Sequence, residues 1–476
     1  MLQIIREVYG GDEKSAEAKL NRLSAQRDLF ERHYGSGPAK SLRAPARINI
    51  LGEHVDYVSY LPTASLPFAS REHDMVMLYR ANGTNRVRGA STLNQFAAAE
   101  FDFTDVVPSR RTENVQADWQ AYLFNKAADA PHWINYVKGA VYFARFKHGA
   151  RLAQGFDFLI DSDIPPGGGS SSSGALTVLG GAAARIVNNI ECDARELAFD
   201  SASAEWYIGT RGGALDQLTI CLAKRRNAVH LDYASGQTTL VEVPDDEFRW
   251  LTFFSRAADK GREVMLEYNE RAAVARVIIP ALIYDRQKDG LQQVINELPG
   301  SITLVEIERR YPEAFHECVR AFPALVSQRR EQPLKVRDRA LHHFGESRRV
   351  AAAVEILRSA GGNQPERDAE SGMSALGELL NQSHESLRDL YGVSTAEVNE
   401  LIAIIRRDPG VCGARLMGAG FGGNVLALVK RESASSLIDR VQKEFYEPRG
   451  RNGIAEGSTL VSTLGDGLSS LDVDSS

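Results

Sequence analysis

Cysteine is scarce in this sequence and never paired. The 476 residues include four cysteines, Cys192, Cys221, Cys318 and Cys412, with no Cys-x-x-Cys, no HExxH and no His/Cys cluster, so we expect no dedicated zinc site. No apolar run approaches the roughly 18 residues of a membrane helix. The opening MLQIIREVYGGDEKSAEAKL lacks the basic-then-apolar pattern of an export signal. We therefore expect a reduced, cytoplasmic protein with no membrane partner.

Charge of one sign is not concentrated anywhere. The chain has 56 basic and 62 acidic residues and a net charge of −6, and basic pairs such as Arg225-Arg226 and Arg329-Arg330 are scattered. A nucleic-acid surface needs a basic patch or stripe, so we expect no nucleic-acid partner. With 43% hydrophobic and 25% charged residues, the composition is that of an ordinary globular protein of two or three domains.

The spacing of apolar residues predicts a mixed α/β chain. Helical spacing and strand-like alternation occur in turn along the first half, and the pattern becomes mostly helical from about Phe253. A domain change is plausible near residues 235–252. Residues 86–130 are polar and irregular, and we expect a surface insertion there. Helices are predicted at residues 13–34, 133–146 and 173–190, and strands at 41–50, 73–81, 156–164, 227–233 and 424–429.

A run of glycine and serine joins a predicted strand to a predicted helix in DSDIPPGGGSSSSGALTVLGGAAARI, Asp161 to Ile186. A flexible linker would sit between polar, turn-rich flanks. A glycine loop between a strand and a helix instead points backbone N–H groups at an anion, and the helix dipole adds partial positive charge. No Gly-Lys-Ser/Thr follows, so this is not a Walker A loop. The residues favour a phosphate cradle over a linker or a tight packing turn.

Two further stretches bear on this choice. RAPARINILGEHVDY (Arg43 to Tyr57) gathers polar residues after a strand, and GARLMGAGFGG (Gly413 to Gly423) is a second glycine-rich loop. Either alone is as easily a turn or a bulge. Together, the three stretches resemble the signature motifs of the GHMP kinase superfamily, and of galactokinases in particular. WINYVKG, GGALDQ and EYNERAAVA match galactokinase-like segments in the same order, so the resemblance covers nearly the whole chain.

The resemblance implies a fold and an activity. The expected fold is α/β (α+β), with an N-terminal ribosomal-protein-S5-like domain (residues 1–240), a C-terminal ferredoxin-like domain (241–476) and the active site between them. The expected reaction transfers the γ-phosphate of ATP to the anomeric C1 hydroxyl of galactose or a related monosaccharide. Mg²⁺ is the implied cofactor, and a sugar and ATP are the implied partners. Whether the protein is a monomer or a dimer is left open.

The resemblance also assigns residues to the chemistry. Asp216 in GGALDQ matches the aspartate that takes the proton from the sugar hydroxyl, and Arg47 matches the arginine beside it. Ser173 and Glu205 match magnesium ligands. The spacing from Glu205 to Asp216 is one residue shorter than the family's usual run, so Glu205 could instead be an exposed helix residue.

Two groups of binding residues follow in the same way. Carboxylates suit a sugar because each accepts two hydroxyl hydrogen bonds. Tyr268 could equally be a core residue. The sugar contacts implied are Glu53, His54, Asp56, Gly213 and Tyr268. The ATP contacts implied are Gly167, Gly168, Gly169, Ser170, Ser171, Ser172 and Ser173.

Several positions depart from the family pattern. Ser170 stands where leucine is usual, Gly174 follows the serines where Ser-Ala is usual, and Asn424 and Met417 stand where cysteine and Ser or Thr are frequent. The Val58–Ser65 loop is about three residues longer than usual, and Arg211 replaces an apolar residue or proline. Residues 281–330, here called the helical insert, look like an expansion without a recognisable motif.

These departures leave the sugar open. Alternatives to galactose are another monosaccharide such as N-acetylgalactosamine, arabinose or a uronic acid. A non-catalytic, galactokinase-like sugar sensor is a further alternative.

Overall fold

The structure is a computed structural model that describes residues 2–11, 13–104, 106, 112–124, 126, 129–166, 168–209, 212–244, 246–257, 261–284, 290–360, 367–450 and 459–472. Helices and strands alternate through the first half, and helices dominate after residue 261. The expected α/β class is confirmed. No helix in these ranges is long and apolar enough to cross a membrane.

The strands form four sheets. The strands are β1 (Lys40–Asn49), β2 (Ala64–Ser65), β3 (Pro67–Ala81), β4 (Arg86–Ser91), β5 (Ala99–Asp102), β6 (Phe156–Ser162), β7 (Asn227–Asp232), β8 (Thr238–Glu242), β9 (Phe248–Arg256), β10 (Ser301–Ile302), β11 (Leu334–Lys335), β12 (Val411–Met417), β13 (Gly423–Lys430), β14 (Thr459–Ser462), β15 (Leu464–Gly465) and β16 (Ser469–Ser470). A seven-stranded sheet has the order β16-β1-β3-β6-β4-β5, with β15 also paired to β3, and all of its pairs are antiparallel except β4 with β6. A four-stranded sheet has the order β12-β13-β9-β14, and two small sheets are β2-β7-β8 and β10-β11.

Helices cover the sheets and build the second half. The helices are α1 (Leu2–Tyr9), α2 (Glu13–Tyr34), α3 (Val115–Phe124), α4 (Ile134–His148), α5 (Ser172–Val187), α6 (Ala194–Glu205), α7 (Leu215–Leu222), α8 (Arg262–Ala273), α9 (Ile279–Ile283), α10 (Leu291–Glu297), α11 (Leu304–Arg310), α12 (Pro312–Ala321), α13 (Pro323–Arg329), α14 (Arg337–Ala360), α15 (Arg367–Ser386), α16 (Ala396–Ile405) and α17 (Ala434–Val441). Buried apolar residues of α4 and α5, with others from α6 and α7, pack with the seven-stranded sheet in one core cluster.

The expectation of an irregular insertion at residues 86–130 is wrong. This segment contributes β4 and β5 to the seven-stranded sheet, followed by α3. The inward side chains Val87 and Phe101 are buried, but charged neighbours such as Arg86 and Arg88 alternate with them on the solvent side. Because charged residues alternate with buried ones along these strands, their composition looks like that of a loop.

The end of the chain adds two strands to the seven-stranded sheet, which is otherwise built from the first predicted domain. β9 starts shortly after residue 240 and pairs with β13 and β14, whereas β15 and β16 return to the seven-stranded sheet. The division into 1–240 and 241–476 stays a prediction.

The helical insert packs against the unusual Val58–Ser65 loop. Val58 and Leu61 are buried in one apolar cluster with Ile295, Ile307 and Phe315 of α10, α11 and α12. The hydroxyl group of Tyr60 lies 2.8 Å from Nδ1 of His343 on α14. Two departures that look independent in the sequence are therefore one packing unit.

This packing predicts the effect of truncating the loop. Leu61→Ala should lower the free energy of unfolding by about 2–5 kcal/mol, because it removes buried contacts and leaves a cavity. Leu240→Ala is the matched control, since that leucine is 48% exposed and surface substitutions usually change stability by less than about 0.5 kcal/mol. Urea denaturation measures both. Equal losses in the two variants would contradict the docking of the loop.

Candidate active site

Arg47 on β1 and Asp216 on α7 form an ion pair beside the seven-stranded sheet. β1 is buried along nearly its whole length, so the charged groups it carries need partners. Arg47 donates from Nε to Oδ1 of Asp216 at 2.6 Å and from Nη1 to the carbonyl oxygen of Gly169 at 3.0 Å. The side chain of Arg47 is 5% exposed and that of Asp216 is 24% exposed. The carboxylate is thus held from the protein side and open on the other.

The glycine-serine loop forms a tight turn between β6 and α5. Gly169 and Ser171 both have left-handed backbone, at φ +84° and +64°. A Cβ at Gly169 would lie 2.8 Å from the carbonyl oxygen of Met417. α5 begins at Ser172, and the first N–H groups of a helix have no partner within it. This is the arrangement expected of a phosphate cradle, which stays a prediction together with its contacts.

The hydroxyl group of Ser171 is a candidate contact for a ligand at this turn. It is buried and makes no hydrogen bond to the described residues. Ser172 and Ser173 are half-buried in the first turn of α5, Gly168 and Ser170 are buried, and Gly167 lies outside the described residues.

Gly174 lets the loop approach the candidate base. A Cβ at Gly174 would lie 3.1 Å from Cβ of Asp216 and 2.5 Å from Oγ of Ser171. The first turns of α5 and α7 therefore meet with little room between them. The departure at Gly174 has a steric reason in this chain.

Glu205 contacts α7 at the residue that follows Asp216. It is the last residue of α6, and its Oε2 accepts a hydrogen bond from Nε2 of Gln217 at 2.5 Å. Burial, together with the charge of Glu205, raises the pKa of Tyr136 on α4. The described residues contain no group of three or more His, Cys, Asp or Glu side chains that could hold a metal. A hydroxyl and a single carboxylate still fit Mg²⁺, which prefers oxygen and takes its other ligands from phosphates and water.

Glu53 and His54 form a sharp turn after β1. Oε1 of Glu53 accepts hydrogen bonds from the backbone N of Gly418 at 2.7 Å and from Nη2 of Arg415 at 3.1 Å. Burial alone would raise the pKa of Glu53, but the charges of Arg415 and Arg47 lower it. His54 is buried with φ +59°, and its Nδ1 lies 2.9 Å from the hydroxyl of Tyr57. The structure places Glu53 against the second glycine-rich loop (Gly413 to Gly423), and its contact with a sugar stays a prediction.

Asp56, Gly213 and Tyr268 come together next to Asp216. A Cβ at Gly213 would overlap the carboxyl group of Asp56, so only glycine fits there. The hydroxyl of Tyr268 lies 3.4 Å from where a Cβ of Gly212 would be. Burial, and then the charge of Asp216, raise the pKa of Asp56 to about 6. These predicted sugar contacts are thus neighbours of the candidate base.

Two residues near this cluster were missed in the sequence. Arg276 lies on a π-helical segment, Val274–Ile278, and donates from Nη2 to the carbonyl oxygen of Gly212 at 2.9 Å. Tyr391 lies on a second π-helical segment, and its hydroxyl is 2.8 Å from that of Tyr57. A π-helical turn has no periodic signature in sequence. The available signal for Arg276 was a lone cation in an apolar run. Arg211 lies outside the described residues.

Matches to known families fall on these same elements. Residues 28–69 match the galactokinase galactose-binding signature, residues 135–224 the N-terminal domain of GHMP kinases and residues 369–447 the C-terminal domain of GHMP kinases. Galactokinase of Chloroflexus aggregans is 27% identical over 458 residues, covering 94% of this chain and 97% of the relative. Galactokinase of Exiguobacterium sibiricum is 28% identical over 447 residues, covering 92% and 96%.

Solved structures show the same architecture. Lactococcus lactis galactokinase complexed with galactose aligns with a TM-score of 0.70 at 25% identity, covering 94% of this chain and 99% of that one. Methanococcus jannaschii mevalonate kinase aligns with a TM-score of 0.53 at 15% identity, covering 90% and 99%, and so shares the fold. Because the family matches fall on the three loops that meet here, and the fold agrees over nearly the whole chain, this chain resembles galactokinases of the GHMP kinase superfamily along nearly its whole length.

Proposed function

We propose that this protein is an ATP-dependent sugar kinase that phosphorylates the C1 hydroxyl of galactose. The observation that carries the chemistry is the Arg47–Asp216 pair, in which a partly exposed carboxylate lies beside the glycine-serine loop. The match to the galactose-binding signature and the relatives named galactokinase support galactose as the substrate.

The proposed reaction is a direct transfer. The C1 oxygen of the sugar attacks the γ-phosphorus of ATP, and the bond from that phosphorus to the β-γ bridging oxygen breaks to release ADP. Asp216 accepts the proton of the hydroxyl, a contribution of typically about 10²–10⁴ in rate. Arg47 stabilises the charge of Asp216 and can neutralise charge on the transferring group.

The loop residues would hold the nucleotide. The N–H groups at the start of α5 and the unpaired hydroxyl of Ser171 suit phosphate oxygens. Ser173 and Glu205 would hold Mg²⁺, which when bound neutralises phosphate charge. The contacts of Gly168, Gly169, Ser170 and Ser172 with ATP belong to this proposal, as does that of Gly167.

The docking of the Val58–Ser65 loop removes one reason to expect a sugar other than galactose. Val58 and Leu61 pack into the helical insert, and the hydroxyl of Tyr60 lies at hydrogen-bonding distance from His343. The loop is therefore accounted for by packing and requires no altered sugar. The retained Arg47–Asp216 pair favours an enzyme over a sensor.

Galactose should release ADP from MgATP and yield a 1-phosphate product. A coupled ADP-release assay over galactose, N-acetylgalactosamine, arabinose, glucose and galacturonate measures the choice, and NMR locates the phosphate. Turnover confined to another sugar would refute galactose as substrate. No turnover with any sugar, combined with a sugar-dependent rise in melting temperature, would indicate the sensor instead.

Asp216→Asn should lower kcat by about 10² or more, because the amide cannot accept the proton. The amide keeps the size of the carboxyl group, so the dissociation constants of galactose and ATP should change little. Calorimetry measures these constants alongside the kinetics. Near-normal kcat in this variant would remove Asp216 from the role of base.

The raised pKa of Asp56 predicts a pH dependence of sugar binding. Its pKa of about 6 in the folded protein lies above the ordinary aspartate value of 3.8, so the ionised form opposes folding at neutral pH. Sugar hydroxyls donate to the ionised form. The KM for galactose should therefore rise as pH falls below 6, by up to about tenfold per pH unit.

Asp56→Asn separates binding from stability. It should raise the KM at pH 7.5 and flatten the pH profile, while stabilising the sugar-free protein more at pH 7.5 than at pH 4. A wild-type KM that is constant from pH 5 to 7.5 would contradict this role of Asp56.

A further inference from the structure

The glycine-serine loop is joined to the end of the second glycine-rich loop (Gly413 to Gly423) by a buried polar pair. Nδ2 of Asn424 donates a hydrogen bond to Oγ of Ser170 at 2.8 Å. Ser170 is 0% exposed and Asn424 is 2% exposed. The amide group of Asn424 also lies over Gly168, 3.2 Å from where a Cβ of that residue would be. No other side chain in the described part of the chain donates a hydrogen bond to the hydroxyl of Ser170.

Both members of the pair depart from the family pattern. The usual leucine at position 170 could not accept this bond, and the frequent cysteine at position 424 could not donate it from an amide. A buried polar group without a partner is costly, so either departure alone would destabilise the contact. The two substitutions satisfy each other across the two halves of the chain.

Ser170 is also tied to the catalytic pair. Its carbonyl oxygen accepts a hydrogen bond from the backbone N of Arg47 at 3.2 Å, and Arg47 donates from Nη1 to Gly169. Asn424 is fixed in turn on β13, where it pairs with Met417. The loop at residues 169–170 is therefore held between β1 on one side and β13 on the other.

We infer that Ser170 and Asn424 form a positioning pair that sets the glycine-serine loop relative to Arg47 and Asp216. This inference rests on the proposed function, in which the loop binds the phosphates of ATP. The pair has no direct role in sugar binding, because the sugar cluster of Asp56, Gly213 and Tyr268 is separate from it. Its loss should therefore impair ATP use and spare the sugar.

The test combines the single variants Ser170→Ala and Asn424→Ala with the double variant. Each single variant should raise the KM for MgATP about tenfold and leave the dissociation constant of galactose unchanged. The double variant should raise the KM for MgATP by less than the product of the two single effects, because it leaves no unpaired polar group at this contact. The double variant Ser170→Leu with Asn424→Cys has the pattern usual in the family. It should bind ATP more tightly than either alanine variant and nearly as tightly as the wild-type protein.

Ser70→Ala is the matched control. Oγ of Ser70 donates to Oγ of Ser462 at 3.0 Å, both side chains are 0% exposed, and the bond also joins the two halves of the chain. This variant should lose stability as Ser170→Ala does, but keep the KM for MgATP. If Ser170→Ala lowers the melting temperature as the control does and leaves the KM for MgATP unchanged, the pair is structural only and the inference fails.

Two further measurements keep the inference falsifiable. Should the alanine variants not fold, Asn424→Leu keeps the approximate size of the side chain and removes the donor without adding charge, and it should weaken ATP binding to the same extent. Calorimetry with ATP and no sugar reports on the loop without turnover. Wild-type protein that binds ATP but makes no ADP would refute the kinase and leave the pair supported if the variants bind ATP more weakly. Wild-type protein that binds no ATP would overturn both.

Discussion

The site depends on one buried ion pair, between Arg415 of β12 and Glu53 after β1. Arg415 is fully buried and donates to the carbonyl oxygens of Asn49 and Ile50 as well as to Glu53, whose Oε1 also accepts the N–H of Gly418. Two buried charges are stable only when such hydrogen bonds satisfy them. The turn that carries the proposed sugar residues is therefore held by the second half of the chain, which puts the candidate active site where the two halves meet.

The proposed sugar cluster of Asp56, Gly213 and Tyr268 contains a carboxylate whose ionised form opposes folding. No cation among the described residues forms an ion pair with Asp56, and burial raises its pKa to about 6. Arg276, which does lower that pKa, is instead hydrogen-bonded to Gly212. Among the described residues Asp56 accepts a hydrogen bond only from the backbone N–H of Leu215, at 3.5 Å, so its carboxylate can still accept donors from a ligand, as the proposed sugar site requires. The energy opposing this arrangement is balanced by the apolar clusters on either side, including the docked Val58–Ser65 loop.

Local patterns in the sequence predicted the elements that present the chemistry. β1 and the turn into α5 follow from periodicity and motif, Asp216 follows from the GGALDQ motif, and the structure brings Arg47, the loop and Asp216 together. β4 and β5 were missed because charged residues alternate with the few buried ones. Arg276 and Tyr391 were missed because a π-helical turn leaves no period, and because what they contact is distant in sequence. The docking of the loop on the helical insert is a packing relation between segments over 200 residues apart, which no local pattern contains.

The departures from the family pattern change meaning once their neighbours are known. Taken singly, Ser170, Asn424 and Gly174 suggest a loop that has lost its constraints, as a protein without catalysis could tolerate. In the structure each has a partner: Ser170 bonds Asn424, and Gly174 makes room for Asp216. A site drifting free of selection for geometry would accumulate unpaired polar groups and clashes, since most substitutions destabilise. Substitutions that fit each other around an intact Arg47–Asp216 pair instead indicate a loop whose position still matters, and that favours an active kinase over a sensor.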